Sequence, residues 1–122
     1  MQSPYKGKTG LRRLTNAFGY SLSGLRAAYR LEDAFRQEIL LAGVLLPAAL
    51  LLPVAATGRA LLLASVFLVL IVELLNSAIE AAVDRISLDN HELSKVAKDI
   101  GSAAVMLSLV CMTLVWSCVL AG

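Results

Sequence analysis

Residues 59–86 read RALLLASVFLVLIVELLNSAIEAAVDRI. An uncharged stretch, Ala60 to Val72, leads into a second half that stays apolar at Leu74, Leu75, Ala78, Ile79, Ala81, Ala82 and Val83. That half also carries Glu73, Asn76, Ser77, Glu80 and Asp84, at positions i, i+3, i+4, i+7 and i+11, which is one face of an α-helix. The segment reads as a single membrane helix from about Arg59 to Ile86, with a polar face in its second half. An Asp near the bilayer centre is unfavourable by roughly 2.5–3.5 kcal/mol, so such a face persists only when buried against protein, water or cations.

Working outward, Ile39–Gly58 and Ile100–Gly122 are also uncharged. Each is long enough to cross a hydrocarbon core of roughly 30 Å at about 1.5 Å per residue. With 58 % apolar residues and a mean hydropathy of +0.76 the chain lies outside the range of soluble globular domains. Its 122 residues form one domain: residues 1–30 as an N-terminal tail and surface helix, then transmembrane helices over about 35–55, 59–86 and 97–120. The fold expected is all-α and integral to the membrane, because a lipid-exposed chain satisfies its backbone internally and no barrel-strand pattern is present. The first 30 residues hold no apolar run of seven or more, so the spans themselves are expected to direct insertion.

Leu11, Leu14, Phe18, Leu22, Leu25 and Tyr29 recur every three or four residues, while Arg12, Arg13, Asn16, Ser23 and Arg26 take the other faces. That pattern predicts a basic amphipathic helix in the membrane interface. Lys6, Lys8, Arg12, Arg13, Arg26 and Arg30 precede the first span and Arg85, Lys95 and Lys98 lie in the second loop, against Arg59 alone in the first. The basic-residue bias predicts that the N-terminus and the second loop face the cytoplasm. The net charge of +2 is accordingly a topology signal, and nothing in it suggests nucleic acid. Cys111 and Cys118, seven apart on one helix, cannot bond to each other, and with His91 the only histidine no Cys/His metal cluster exists.

The carboxylate face has two chemical uses. A carboxylate in a partly dry site can take a proton from a hydroxyl, and a pair can hold a Mg²⁺ that bridges phosphate oxygens. Glu73 and Glu80 lie about two turns, roughly 10 Å, apart along the axis, which suits two roles better than one shared ion. Arg30, Glu32, Asp33, Arg36, Gln37 and Glu38 cluster where the surface helix turns into the first span, making Glu32 a candidate second metal ligand. Glu92, Lys95, Lys98 and Asp99 precede the last span, where the lysines would face a polyphosphate. The GKT at Gly7–Thr9 is not a phosphate loop, because Gln2 stands where the other Gly is needed, and no soluble protein-kinase signature is present.

GYSLSGLRAAY at Gly19–Tyr29, AFRQE at Ala34–Glu38, ELLNSAIEAAVDR at Glu73–Arg85 and HELSKVAKDIGSAAV at His91–Val105, in that order, resemble the prokaryotic diacylglycerol kinase family. The resemblance runs from about Thr9 to Trp116. It implies a homotrimer with a surface helix and three transmembrane helices per chain in the bacterial inner membrane. The implied reaction is ATP-dependent, Mg²⁺-dependent phosphorylation of 1,2-diacylglycerol to phosphatidic acid. Carried over by position, Glu73 would be the general base and Glu32 and Glu80 the metal ligands. Arg13, Tyr20, Glu32, Asn76, Glu80, Asp89, Asn90, His91, Lys98 and Asp99 would bind ATP. Arg13, Ala34, Phe35, Arg36, Gln37, Glu38, Glu73 and Ser102 would lie along the lipid. Undecaprenol kinases of the same family share the acidic motif, and NSAIE with GSAAV favours the diacylglycerol branch. An oligomeric proton or cation conductor would use Glu73 and Glu80 but leaves the charged cytoplasmic segments without a common role.

Overall fold

A computed structural model of the chain describes residues 10–86 and 92–122; the Gly7–Thr9 segment and Asp89, Asn90 and His91 lie outside the described residues. It contains four helices: α1 (Gly10–Leu31), α2 (Asp33–Leu51), α3 (Ala56–Ile86) and α4 (Glu92–Ala121). No strand occurs among the described residues.

The chain is all-α, and α2, α3 and α4 are each long and apolar enough to cross a membrane. At 1.5 Å per residue the 31 residues of α3 span about 46 Å, well beyond a hydrocarbon core of roughly 30 Å. The helix is therefore longer than a perpendicular span needs, and its polar face lies in its C-terminal half. α1 is the amphipathic helix expected, with no acidic residue and with Leu11, Leu14, Phe18, Leu22 and Leu25 all exposed. Only Ala28 of its 22 residues is buried.

α3 is the central element, packing most extensively on α4 and then on α2. The core between the three spans is Ala42, Val66, Val69 and Met112, with Leu45, Leu46, Leu70, Leu109 and Trp116 packed around it. Polar ties supplement it. Ser65 Oγ donates to Leu62 O at 2.8 Å and accepts the indole Nε1–H of Trp116 at 3.1 Å, which joins α3 to α4. Such a tie substitutes for water that the bilayer cannot supply.

α2 ends at Leu51 because Pro53 disfavours helical backbone in the preceding residue, and Leu52 is indeed extended (φ −67°, ψ 142°). The carbonyls freed there are met by Arg59. Its Nη1 donates to Ala49 O and Leu50 O, both at 2.7 Å, and its Nη2 to Val54 O at 3.2 Å. The one basic residue of the first turn thus caps α2 and fastens it to α3. Replacing Arg59 by Ala is expected to lower stability by about 1–3 kcal/mol, the cost of leaving such groups unsatisfied. Thermal unfolding in detergent, followed by helical circular dichroism, checks it; an unaltered midpoint would show the cap to be dispensable.

Candidate functional site

The polar face of α3 is turned inward. Glu73 is only 4 % exposed although it lies in the middle of a membrane-length helix, so its carboxyl group is enclosed by protein. Its nearest acidic neighbour is on α2: the Glu38 and Glu73 carboxyl groups are in hydrogen-bonding contact. Glu32 and Glu80 lie within electrostatic reach of Glu73 as well. One carboxyl contact, Glu38 with Glu73, thus joins α2 to α3, and the charges of Glu32 at the α1–α2 elbow and of Glu80 on α3 act on it from farther off. Two such groups in contact repel each other unless a proton or a cation lies between them.

Asn76 and Gly101 set the approach of α3 to α4. Asn76 Nδ2 donates to Glu80 Oε1 at 3.4 Å, and the Asn76 side chain occupies the space where Gly101 lacks a Cβ. Among the described residues Glu38 Oε2, Asn76 Oδ1 and Ser77 Oγ are buried side-chain atoms without a hydrogen-bond partner. Buried polar atoms are nearly always paired, so these orphans mark positions kept for something other than stability. Lys98, three residues before Gly101 on α4, ion-pairs with Asp84 Oδ1 at 2.6 Å and lies within electrostatic reach of Glu80. Lys95 pairs with Asp99 at 2.7 Å.

Between α1 and α3 opens a cavity of about 560 Å³. Leu25, Ala28 and Leu31 line it from α1 and Leu74, Ala78 and Ala81 from α3, with Glu32 and Ser77 as polar groups in the wall. An apolar slot with a few polar groups suits an amphiphilic molecule whose polar end meets the carboxylate cluster.

A model of the prokaryotic diacylglycerol kinase family matches residues 19–120. The chain belongs to that family. Three relatives, each named diacylglycerol kinase, agree: the protein of Pseudomonas aeruginosa is 58 % identical over 120 residues, 98 % of both chains. That of Escherichia coli K12 is 54 % identical over 115 residues, covering 92 % of this chain and 91 % of its own. That of Helicobacter pylori 26695 is 42 % identical over 113 residues, covering 93 % and 88 %.

In this member of the diacylglycerol kinase family the expected site residues among those described fall into two groups. Glu38 meets Glu73, Asn76 meets Glu80, and Glu32 and Lys98 lie within electrostatic reach of Glu73 and Glu80 respectively. Others stand apart. Arg13 lies about 27 Å along α1 from its C-terminal end, so Arg13 and Glu32 of one chain cannot grip one phosphate. Tyr20, Ala34, Gln37, Asp99 and Ser102 are exposed, and Phe35 is buried at 2 %. Arg36 turns its guanidinium to the backbone of α1 rather than outward. Two features went unread in the sequence: the contact of Glu38 with Glu73, and Gly101 as the seat of Asn76. The spacing of Asn76 and Glu80 on one face was visible; which residue of α4 faces it depends on how the helices pack.

Proposed function

We propose that this chain is an ATP-dependent lipid kinase that transfers the γ-phosphate to the free hydroxyl of 1,2-diacylglycerol, yielding phosphatidic acid and ADP. The observation that carries the reading is the enclosed Glu73 carboxyl group, set among Glu38, Glu32 and Glu80 beside an apolar cavity. The names of the relatives supply the substrate class.

Glu73 is the general base. It takes the hydroxyl proton as the lipid oxygen attacks the γ-phosphorus; the bond from that phosphorus to the β–γ bridging oxygen breaks, and ADP leaves. Enclosure keeps competing water away from the phosphoryl group. Glu38 steadies the Glu73 carboxyl group through their contact. Lys98 would exchange Asp84 for a phosphate oxygen and offset negative charge there.

Glu32 and Glu80 fit a Mg²⁺ accompanying ATP. Both are hard oxygen donors; Glu32 starts α2 without its side chain being taken up as a cap, and Glu80 shares only Oε1, with Asn76. Among the described residues no group of three metal-ligating side chains forms, so Glu32 and Glu80 are the protein groups that would hold it. Bound there, Mg²⁺ would neutralise charge on the polyphosphate. Arg13, Tyr20 and Asp99 remain candidate ATP contacts and Ala34, Phe35, Gln37 and Ser102 candidate lipid contacts. In the homotrimer that the family resemblance implies, a site composed from neighbouring chains would accommodate the length of α1 separating Arg13 from Glu32. The N-terminus and the segment that joins α3 to α4 face the cytoplasm in this reading, and the membrane is the bacterial inner membrane.

Transfer of label from γ-labelled ATP by the purified protein with Mg²⁺, offered dioleoylglycerol and undecaprenol side by side, tests it. Labelled phosphatidic acid is the expected dominant product. Undecaprenyl phosphate would move the chain to the sister activity, and no labelled lipid would overturn the kinase reading.

A further inference from the structure

We propose that Arg36 is a positioning residue, whose guanidinium clips the C-terminal carbonyls of α1 to the first turn of α2 and thereby holds α1 as a wall of the cavity. The kinetic consequence rests on the lipid-kinase reading above; the mechanical one does not.

The chain passes from α1 into α2 through one non-helical residue, Glu32 (φ −117°, ψ 111°). On either side the backbone is tied: Glu32 N donates to Ala28 O at 2.9 Å and Arg36 N to Glu32 O at 3.2 Å. A single extended residue between two helices is a hinge with two free dihedrals. Packing of α1 restrains it weakly, because Ala28 is the one buried residue of that helix. The last carbonyls of a helix have no intrahelical partner. Here Arg36 Nη1 donates to Tyr29 O at 2.7 Å and to Arg30 O at 2.9 Å, while Nη2 pairs with the Asp33 carboxylate. One planar group thus binds the end of α1, the start of α2 and, through them, the setting of Glu32.

The lever is long. Leu25 lies seven residues, roughly 10 Å, from the elbow, so a swing of about 10° would move it by roughly 2 Å. That displacement alters a cavity wall made by Leu25, Ala28 and Leu31, and with it the direction of Glu32. Lysine cannot replace this function. Its ammonium is a single point on a flexible stem and lacks the fork that reaches two carbonyls and a carboxylate at once.

The test uses full-length protein in lipid nanodiscs. Spin labels at Leu22→Cys on α1 and Leu75→Cys on α3, with Cys111→Ser and Cys118→Ser, report the α1–α3 distance, doubly labelled chains being diluted with excess unlabelled chain. A narrow distribution is expected with Arg36, and a broad one with both Arg36→Gln and Arg36→Lys. In unlabelled protein the same two variants are expected to raise KM for dioleoylglycerol by roughly tenfold, with a smaller fall in kcat as Glu32 turns with the elbow, since misplacement of a binding wall by an ångström or two is costly. Asp33→Asn, which loosens one anchor and leaves both carbonyl bonds, should broaden the distribution less, and it serves if the Arg36 variants do not fold. An unchanged distribution in Arg36→Gln overturns the clip. Broadening with unaltered KM overturns its role in the reaction, as does an Arg36→Lys variant with normal affinity, which would mean that the cation touches the lipid itself. Absence of activity in the parent protein would refute the kinase reading, with the distance measurement still deciding the clip.

Discussion

Glu73→Gln is expected to reduce lipid phosphorylation by about 10²–10⁴-fold, the range that a positioned general base supplies. The side chain keeps its size and its place, but a carboxamide cannot receive the hydroxyl proton. Folding should not suffer. Glu73 is enclosed and faces Glu38, with Glu32 and Glu80 in reach, so removing its charge relieves like-charge repulsion in a low-dielectric setting. The thermal midpoint in detergent should therefore match or exceed that of the parent while turnover collapses. The pairing of the two readouts is what identifies a base: an equal loss of turnover and stability would point to a structural role. Turnover near the parental rate, assayed in mixed micelles with dioleoylglycerol, would remove Glu73 from the chemistry.

Gly101→Ala should be nearly as damaging, for a different reason. A Cβ there meets the Asn76 amide, and the part it meets first is the free end of a side chain rather than backbone. The amide can rotate away, so α3 and α4 keep their packing at modest cost, about 1–3 kcal/mol as for other overpacked sites. Rotation breaks the Asn76–Glu80 contact and leaves Glu80 without its partner. Activity is expected to fall by about 10²-fold, the scale on which small displacements of positioning groups act. The double variant Gly101→Ala with Asn76→Ala separates the two effects: it should regain thermal stability and remain inactive. If Gly101→Ala alone were fully active, Asn76 would not be needed where it sits. If the double variant regained activity, the loss would have come from helix separation.

Arg59 and Arg36 show how far charge patterning carries. In the sequence both read as parts of a topology or substrate pattern, and both are found holding free carbonyls at the end of a helix. A guanidinium reaches backbone atoms six to ten residues away only after the chain has turned, and no periodicity reports that. Glu38 is similar. It sits in the AFRQE motif without any mark of its contact with Glu73, since the two belong to different helices and meet only when α2 packs on α3. By contrast Glu73, Asn76 and Glu80 were legible together, because one helix fixes their relative placement at 3.6 residues per turn.

The amino-acid sequence by itself determined the helices, their membrane lengths, the polar face of α3, the amphipathic character of α1 and the family. These are properties of periodicity, hydropathy and local motif, each set within one segment of chain. Tertiary structure alone decided which carboxyl groups meet Glu73, that Gly101 receives Asn76, that Ser65 and Trp116 tie α3 to α4, and that Arg36 governs the elbow. Those depend on the rotation and distance of one helix against another, which short-range van der Waals fit and the need to satisfy buried polar groups decide only when all the spans are in place.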